Sequence, residues 1–336
     1  MKKIDVTYSR LLNSIGDLLE AGRKQAYRAV NSILVRTYWE IGKQIVEFEQ
    51  GGKERAEYGS SLLDNLSRDL KQRYGKGFSK SNIYLMRLFY IKYQIFQMVS
   101  GKLSWSHYSE LLSIESDLTR QFYESQAIKD NWSVRQLKRQ INSALFQRIA
   151  LSKDKSGVLE LSKKGLIIQN ASDVIKDPYV LEFLKIPENY RYSEKELEQN
   201  IIDHLQLFLL ELGKGFSFVA RQFRITLDNN HYYVDLVFYH RLLRCFVLID
   251  LKIGKANHTD IGQMNMYLNY FKEEESSGED NEPIGIILSA EKNNFLVKYA
   301  LGGISTKLFV SRYKLYLPDK QELENKLKTI LESSEK

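Results

Sequence analysis

The sequence predicts an all-helical first domain followed by a second domain of the α+β or α/β class, in which helices flank a central mixed β-sheet. Apolar residues recur at helical spacing from about residue 8 to residue 147, and few strand-like alternations interrupt them. Beyond residue 176, apolar runs of strand length alternate with helical stretches. A chain of 336 residues also exceeds the usual size of one domain, so its length fits this division.

The boundary is predicted in a polar, irregular stretch between about residues 152 and 175. The first domain then spans residues 1–155 and the second spans residues 176–336. The elements predicted in the second domain are a helix at 193–212, strands at 216–226, 231–239 and 244–253, a helix at 259–272, a strand at 284–288, a short helix at 292–301, a strand at 312–317 and a last helix.

The net charge of +7 is concentrated in the first half of the chain. Residues 1–150 contain 24 lysine and arginine residues against 15 aspartate and glutamate residues, whereas the remaining residues contain 25 against 27. A polyanionic partner such as DNA would explain this asymmetry, because lysine and arginine contacts to phosphate supply most sequence-independent affinity. A solvated helical surface that is simply basic is the alternative interpretation.

One segment of the first domain has the outline of a helix-turn-helix. A helix over residues 59–70 and a glycine turn over residues 75–78 precede a second helix that Ser79 caps and that carries Lys80 and Arg87. The two basic residues are candidate DNA contacts. Any antiparallel helical pair with a glycine turn has the same outline.

A second candidate for DNA contact is a basic triplet further along the first domain. Arg135, Lys138 and Arg139 share one helical face at i, i+3 and i+4 spacing. This spacing suits a phosphate-contacting stripe, or equally a solvated face.

The location of the protein is predicted from what its apolar segments lack. None is long enough to form the core of a signal peptide or to span a membrane, so a cytoplasmic location without membrane contact is expected. The single cysteine, Cys245, lies in an apolar run and is interpreted as a small buried side chain rather than a disulfide or zinc ligand.

Two charged residues share one face of a strand that is otherwise apolar. In the run from Phe246 to Lys252, strand alternation places Asp250 and Lys252 on the same face. Burying these charges is costly unless they pair or bind a metal. Asp235 lies in the preceding apolar strand, and the short turn between the strands predicts an antiparallel hairpin that brings both carboxylates together.

The helices before and after these strands supply further candidates. Glu198 continues the apolar stripe of its helix and is predicted to face the core, whereas Glu194 and Glu196 are predicted to point toward solvent. Gln263 and Tyr267 share the helical face nearest the strand ends, and Tyr267 is a candidate nucleic-acid contact. Core packing is the alternative for Tyr267, and a solvent-facing position is the alternative for Gln263.

These side chains together predict a metal-dependent phosphodiesterase. Asp235, Asp250 and Glu198 offer hard carboxylate oxygens, which suit Mg²⁺, with Mn²⁺ as a substitute. The metal would lower the pKa of its water and stabilise charge at phosphorus, while Lys252 would orient or deprotonate the nucleophile. Gln263 completes the catalytic set. An Asp-x-Lys tripeptide alone carries little weight, because an edge-strand salt bridge has the same sequence.

The order helix, strand, hairpin, strand, helix, with these residues along it, resembles the RecB-like branch of the PD-(D/E)XK nucleases. More closely, the chain resembles the YhcG family of bacterial proteins, in which a helical domain of unknown function precedes that nuclease fold. The motifs that carry the resemblance span nearly the whole chain and are Tyr38-Trp39-Glu40-Ile41-Gly42, Tyr58-Gly59, Gly77-Phe78-Ser79, Trp132-Ser133-Val134-Arg135, Asp177-Pro178-Tyr179, Glu211-Leu212-Gly213-Lys214-Gly215-Phe216 and Arg221-Gln222.

The resemblance implies a restriction-endonuclease-like fold, with a central mixed sheet flanked by helices. It also implies a Mg²⁺-dependent DNA phosphodiesterase with Asp235, Asp250 and Lys252 as its catalytic core. The second acidic position, usually glutamate in this family, is Asp250 here, which the superfamily pattern admits.

A non-catalytic nucleic-acid-binding or assembly subunit that retains the fold is the alternative function, and RNA is the alternative substrate. Intact Asp235, Asp250 and Lys252 favour catalysis, because a site freed from catalysis has no physical reason to keep three buried charges together. The candidate partners are DNA, a second copy of the chain, and subunits of a restriction or phage-defence system, with DNA repair as a further setting. The sequence has no P-loop, so ATP-driven translocation would come from a partner.

Overall fold

A computed structural model of the protein describes residues 2–50, 61–95, 101–187, 190–291 and 307–332, with side chains from residue 8 onward. The chain folds into two compact units, which are Met1–Arg120 with Asn131–Leu137, and Gln121–Asp130 with Lys138–Lys336. The second unit takes in helical residues that the sequence assigns to the first domain. The domain limits of 1–155 and 176–336 stay a prediction.

The described part of the first 164 residues is helical, as the apolar spacing predicts. Side-chain caps begin some of these helices: the Ser79 hydroxyl accepts from Asn82 N–H, and the Asp154 carboxylate accepts from Gly157 N–H. The helices are α1 (Lys2–Gln50), α2 (Leu62–Tyr74), α3 (Lys80–Lys92), α4 (Trp105–Leu112), α5 (Asp117–Asp130), α6 (Val134–Asn142), α7 (Leu145–Ala150) and α8 (Lys155–Lys164).

A glycine turn joins α2 to α3, as predicted. Gly75 and Gly77 have φ angles of 81° and 111°, a region that favours glycine. The Ser67 hydroxyl donates to Phe78 O at 2.9 Å and holds the turn against α2. The predicted start of the first helix at Gly59 lies outside the described residues. That this helix pair is a DNA-binding helix-turn-helix stays a prediction.

The two ends of α1 have different surroundings. Trp39 and Ile45 are buried, and α1 approaches α3 so closely at Gly42 that a Cβ there would clash with Met86 O. From Tyr8 to Leu34, by contrast, nearly every side chain is exposed. The C-terminal part of α1 is therefore anchored in its unit, whereas little of the described chain packs against its N-terminal part.

The second unit contains a mixed sheet. Among the described residues its strands are β1 (Tyr179–Val180), β2 (Phe216–Leu227), β3 (Asn230–His240), β4 (Cys245–Lys255), β5 (Ile284–Glu291) and β6 (Leu308–Lys314), and its further helices are α9 (Glu194–Asp203), α10 (Leu205–Leu212), α11 (His258–Tyr270) and α12 (Lys320–Glu332). The strand order is β1-β6-β5-β4-β3-β2. The β1–β6, β5–β6 and β4–β5 pairs are parallel, and the β3–β4 and β2–β3 pairs are antiparallel.

Helices cover both faces of this sheet. Ile249 and Leu251 of β4 pack in one core cluster with residues of α9 and α10, whereas Leu248 packs in a second cluster with residues of α11. Alternate side chains of one strand thus serve different cores, as strand geometry requires. The predicted fold class, a helical region followed by a mixed sheet flanked by helices, is confirmed.

Two predicted elements differ from the structure, and α8 forms within the stretch that was predicted to be irregular. The helix predicted at 193–212 is two helices, because the backbone breaks at His204 with φ −116° and ψ 28°. The strand predicted at 312–317 spans Leu308–Lys314 instead, since its register is set by pairing with β5 and β1. The short helix predicted at 292–301 lies outside the described residues.

The apolar character of the helices and the environment of the single cysteine were both inferred from composition. In the described ranges, no helix combines the length and the apolar character needed to cross a bilayer. Cys245 is buried and unbonded, as predicted, and burial raises the pKa of its thiol to about 11.

A buried ion cluster lies beside β1 and α10 in the second unit. The Glu211 carboxylate lies 2.6 Å from Arg148 Nη1 and 3.2 Å from Arg139 Nη1, and it accepts from Val180 N–H at 3.0 Å. Burial disfavours the charge of Glu211, but Arg148, Lys176 and Arg139 outweigh burial and lower the pKa of this carboxyl to about 2. Burial also lowers the pKa of Lys176 to about 8.

Candidate active site

The central strand β4 carries the predicted aspartate and lysine side by side. The strand pairs with β3 on one edge and with β5 on the other, so its backbone position is fixed. Asp250 is 4% exposed, and Lys252 Nζ lies 2.9 Å from Asp250 Oδ2. Strand alternation therefore correctly places these two residues on one face.

Asp235 lies across the hairpin from Asp250. Leu236 pairs with Ile249 in the antiparallel register, which puts the preceding Asp235 level with Asp250. Asp235 Oδ2 accepts a hydrogen bond from Leu251 N–H at 2.8 Å, and Asp235 lies close enough to Asp250 for its charge to raise the pKa of that carboxyl. The meeting of these carboxylates across the strand pair, which the short turn predicts, is present.

The surroundings of Asp250 oppose its ionisation. Burial raises the pKa of Asp250 and the negative charge of Asp235 raises it further, while Lys252 offsets only part of the increase. The result is a pKa of about 7. Two carboxylates this close carry an excess of negative charge, which a bound cation would relieve.

Lys252 is surrounded by carboxylates. Its Nζ lies 3.7 Å from Glu194 Oε2 and 3.8 Å from Asp260 Oδ1, in addition to its contact with Asp250. Burial disfavours its charge, but Asp250 outweighs burial and raises the pKa of Lys252, so the ammonium is protonated at neutral pH. Glu194 is only partly exposed and accepts from Ile253 N–H at 3.4 Å, in contrast to its predicted solvent-facing position.

Glu198 faces inward, as predicted, and is 2% exposed. Glu196 instead forms the capping box of α9 with Ser193, at the exposed start of the helix. Arg221 Nε lies 2.9 Å from Glu198 Oε1, but the two groups lack the alignment of a hydrogen bond. Within the described ranges, Glu198 Oε1 is therefore a buried oxygen to which no hydrogen bond is donated.

Gln222 is a site residue that the sequence reasoning did not identify. Its Nε2 donates to Glu198 Oε2 at 2.6 Å and to Asp235 Oδ1 at 3.0 Å, so its amide links the two carboxylates. The residue has a φ of 47° within β2, a left-handed conformation that non-glycine residues rarely adopt. Residue type gives no signal for this role, and only the Arg221-Gln222 motif of the family resemblance marks the position.

Gln263 and Tyr267 are joined to each other and to β3. The Gln263 amide donates to the Tyr267 hydroxyl, which donates to Tyr233 O at 3.0 Å. Burial raises the pKa of Tyr267, and the charges of Asp250 and Asp235 add to the increase. Tyr267 is fully buried, so its ring is a core residue and not the nucleic-acid contact that the sequence predicts. Gln263 is half-buried at the same place.

The predicted basic contacts have several environments. Lys80 lies 2.8 Å from Asp64, with both side chains more than half exposed, whereas Arg87 forms a half-buried ion pair with Glu49 at 2.7 Å. Arg135 and Lys138 of α6 are exposed.

Arg139 does not extend the exposed stripe that its spacing predicts. Its guanidinium donates to Glu182 at 3.0 Å and to Glu211 at 3.2 Å, and it also donates to Val180 O at 3.1 Å. These partners occupy its donors in the interior of the second unit. Helical spacing identified a shared face but could not show that one of its three members is buried against β1.

The raised pKa of Asp250 predicts that its charge destabilises the metal-free protein. The folded-state pKa is about 7 against an ordinary value of 3.8, so this cost is complete above pH 7 and disappears as the pH falls toward 4. In EDTA we expect Asp250→Asn to increase the free energy of unfolding at pH 8 by on the order of 2 kcal/mol. Urea titrations at pH 8 and pH 4.5 measure this difference.

Asp203→Asn is the matched control, because Asp203 is an exposed carboxylate on α9 that accepts only from Gln199 among the hydrogen bonds described. It is expected to change stability little at either pH. Equal stability of Asp250→Asn and the wild type at pH 8 would show that the Asp250 charge does not destabilise the folded protein.

The donors at the site suit a hard divalent cation. Among the described residues, no three histidine, cysteine, aspartate or glutamate side chains form a group that could hold a metal ion, so Glu198 is not gathered with the two aspartates. Two features nevertheless fit such an ion: the negative charge of Asp235 and Asp250, which Lys252 offsets only in part, and the buried Glu198 Oε1, to which no hydrogen bond is donated by the described residues. Mg²⁺ needs only one or two carboxylates when substrate oxygens and water complete its shell.

A mixed sheet whose adjacent central strands carry Asp235 and the Asp250-Leu251-Lys252 tripeptide has the form of the PD-(D/E)XK class. Residues 172–328 match the family described as "YhcG PDDEXK nuclease domain", and residues 14–148 match the "DUF1016 N-terminal domain". The chain is 42% identical over 352 aligned positions to "Putative nuclease YhcG" of Escherichia coli (strain K12), with 95% of this chain and 93% of that protein covered. The chain therefore belongs to the YhcG family of PD-(D/E)XK nuclease proteins.

Two solved structures are also similar to part of the chain. One is a repair endonuclease from Pyrococcus abyssi, with 23% identity and a TM-score of 0.27 over 39% of this chain and 50% of that chain. The other is EndoMS in a double-stranded DNA complex, with 16% identity and a TM-score of 0.28 over 40% of this chain and 51% of that chain. The chain thus matches about half the length of each, and the family assignment depends on the sequence matches alone.

Proposed function

We propose that the protein is a Mg²⁺-dependent nuclease that hydrolyses phosphodiester bonds of DNA in the cytoplasm, in restriction, phage defence or DNA repair. The observation that carries this proposal is the position of Asp235 level with Asp250 on the adjacent strand, with Lys252 2.9 Å from Asp250. Membership of a nuclease family supports it. A buried aspartate beside a second, half-buried aspartate is costly for folding, and catalysis explains this arrangement.

The proposed roles follow from the positions of the side chains. Asp235 and Asp250 would hold the Mg²⁺, with Glu198 as the third carboxylate of the site and Mn²⁺ as a substitute ion. The ion would supply Lewis-acid stabilisation of charge at phosphorus and a more acidic bound water. The Leu251 N–H holds Asp235 in place.

Lys252 is proposed to orient the substrate phosphate and balance the charge that develops on it. Its raised pKa favours this role over that of a general base, because the ammonium has no free electron pair for a proton. Gln263 is proposed to complete the site from α11, where its amide is fixed by the Tyr267 hydroxyl.

The substrate class is tested by incubating the purified full-length protein with linear, circular, branched and methylated DNA and with single-stranded RNA, each with Mg²⁺ and with EDTA. We expect Mg²⁺-dependent cleavage of at least one DNA. Cleavage of RNA and of no DNA would show that RNA, and not DNA, is the substrate. Binding without cleavage under every condition would favour a non-catalytic nucleic-acid-binding subunit.

The basic residues of α6 are proposed to contact DNA phosphates, together with Lys80 and Arg87. Replacing both Arg135 and Lys138 with alanine is expected to reduce the slope of log affinity against log salt by about 2, because each lost phosphate contact removes about one released counterion. Fluorescence anisotropy with a labelled duplex at several salt concentrations measures this slope. A double variant with the wild-type slope would exclude these residues from the interface.

The matched control replaces Lys272 and Lys326, which are exposed lysines paired with Glu282 and Glu322. It removes the same positive charge from the molecule. We expect it to leave the salt slope close to that of the wild type, since only local phosphate contacts determine that slope.

A further inference from the structure

The exposed part of α1 carries an apolar stripe with the spacing of a coiled coil. Tyr8, Leu12, Ile15 and Leu19 follow one another at alternating steps of four and three residues, and they are between 46% and 63% exposed. The same spacing continues through three small residues to a further large one, and this sustained period of 3.5 residues is that of a helix packed against another helix. The continuation consists of Gly22, Ala26, Ala29 and Ile33.

We infer that this stripe, from Tyr8 to Ile33, is a dimerisation surface on which a second copy of the chain packs with its helix antiparallel. A long helix that is bare of contacts over this length is marginally stable in water, because helices in proteins are held mainly by packing of an apolar face. The described residues provide no such packing.

The order of large and small residues along the stripe favours a second copy in antiparallel orientation. The large side chains lie in its first half and the small ones mainly in its second. In an antiparallel pair Leu12 faces Ala29 of the second copy, Ile15 faces Ala26, and Leu19 faces Gly22. Each of these three layers then contains one large and one small residue, while Tyr8 faces Ile33 in the outermost layer, and the central layers pack evenly. A parallel pair would stack glycine on glycine and alanine on alanine and would leave voids.

Gly22 also fits this inference. A glycine inside a helix lowers stability by about 0.5–1 kcal/mol relative to alanine, so it usually serves a close approach of another group. Within the described residues, however, a Cβ at Gly22 would meet nothing within 4 Å. Contact with Leu19 of a second copy would explain why this position lacks a side chain.

The size of the stripe also fits an interface between two copies. If each of its large side chains and the flanking Leu11 and Leu18 lost roughly 100 Å², each copy would bury on the order of 700 Å², close to an ordinary stable interface.

Sedimentation equilibrium of the full-length protein tests the association. We expect a mass of twice the 39.3 kDa chain for the wild type, and a monomer for the double variant Leu12→Glu with Leu19→Glu. The control, Asn13→Glu with Tyr27→Glu, adds the same charges to exposed positions outside the stripe and is expected to stay dimeric. A monomeric wild type, or a dimer that survives the Leu12 and Leu19 substitutions, would overturn the inference.

Disulfide trapping tests the orientation without weakening the interface. Tyr8→Cys and Ile33→Cys chains are expressed separately and together and are then oxidised, while the buried Cys245 has too high a pKa to react readily. An antiparallel dimer crosslinks only when the two variants are co-expressed. Crosslinking of either variant by itself, or no crosslink in the mixture, would refute the antiparallel pair.

Discussion

Asp250→Ala is expected to lower the single-turnover rate of DNA cleavage in Mg²⁺ by about a thousandfold or more. The substitution removes one of the two carboxylates that are proposed to hold the ion, and it also removes the partner that lies 2.9 Å from Lys252 Nζ. Stabilisation of the charge at the phosphate by the metal would be lost, and Lys252 would no longer be held in position by Asp250. Single-turnover kinetics with a labelled duplex measure the rate of the chemical step and are independent of product release.

Asp203→Ala is the matched control for this loss. Asp203 is an exposed aspartate on α9, and the variant is expected to cleave at nearly the wild-type rate. Circular dichroism should show both variants folded, because the ionised Asp250 disfavours folding and its removal does not disrupt the sheet. An Asp250→Ala protein that cuts DNA at the wild-type rate would exclude the proposed site.

Glu211→Ala is expected to reduce the free energy of unfolding by about 3–5 kcal/mol, as for other buried ion pairs that lose one partner. The substitution leaves the guanidinium of Arg148, which is fully buried, without its carboxylate at 2.6 Å. It also removes an acceptor of Arg139 and of Val180 N–H. Urea unfolding at pH 7 measures the loss.

The low pKa of Glu211 adds a dependence on pH. Its folded-state value is about 2 against an ordinary 4.5, so its contribution is complete above pH 4.5 and is lost as the pH falls toward 2. The difference between wild type and variant should therefore shrink in acid. Glu279→Ala, which breaks an exposed pair with Arg244, is the control and should cost less than about 1 kcal/mol. Equal losses for the two variants would contradict the importance of the buried cluster.

The sequence predicts those parts of the site that depend on one strand or one hairpin. Asp250 and Lys252 share a face because side chains alternate along a strand, and Asp235 joins them because a short turn makes the two strands neighbours. Both relations are local, so the printed sequence is sufficient for them. The inward position of Glu198 follows equally from the apolar stripe of a single helix.

The residues that were misplaced or missed depend on contacts between distant elements. Gln222 reaches the site because its own backbone is left-handed within β2, where it lies level with Asp235 on β3. Tyr267 is buried because α11 packs on the sheet, although helical spacing alone also allows an exposed ring. Arg139 is enclosed by the carboxylates of Glu182, just after β1, and Glu211 of α10, which lie more than forty residues away in the chain. Periodicity identifies a face, but it does not identify what covers that face.

The most direct test of the proposed site is the rate at which the EDTA-treated wild-type protein cuts a labelled linear duplex before and after Mg²⁺ is restored. We expect no cleavage in EDTA, cleavage that rises with Mg²⁺ concentration to saturation, and recovery with Mn²⁺ in place of Mg²⁺. Cleavage that persists undiminished in EDTA, or a protein that remains inactive on every duplex after both ions are restored, would contradict a metal-dependent nuclease built on Asp235, Asp250 and Lys252.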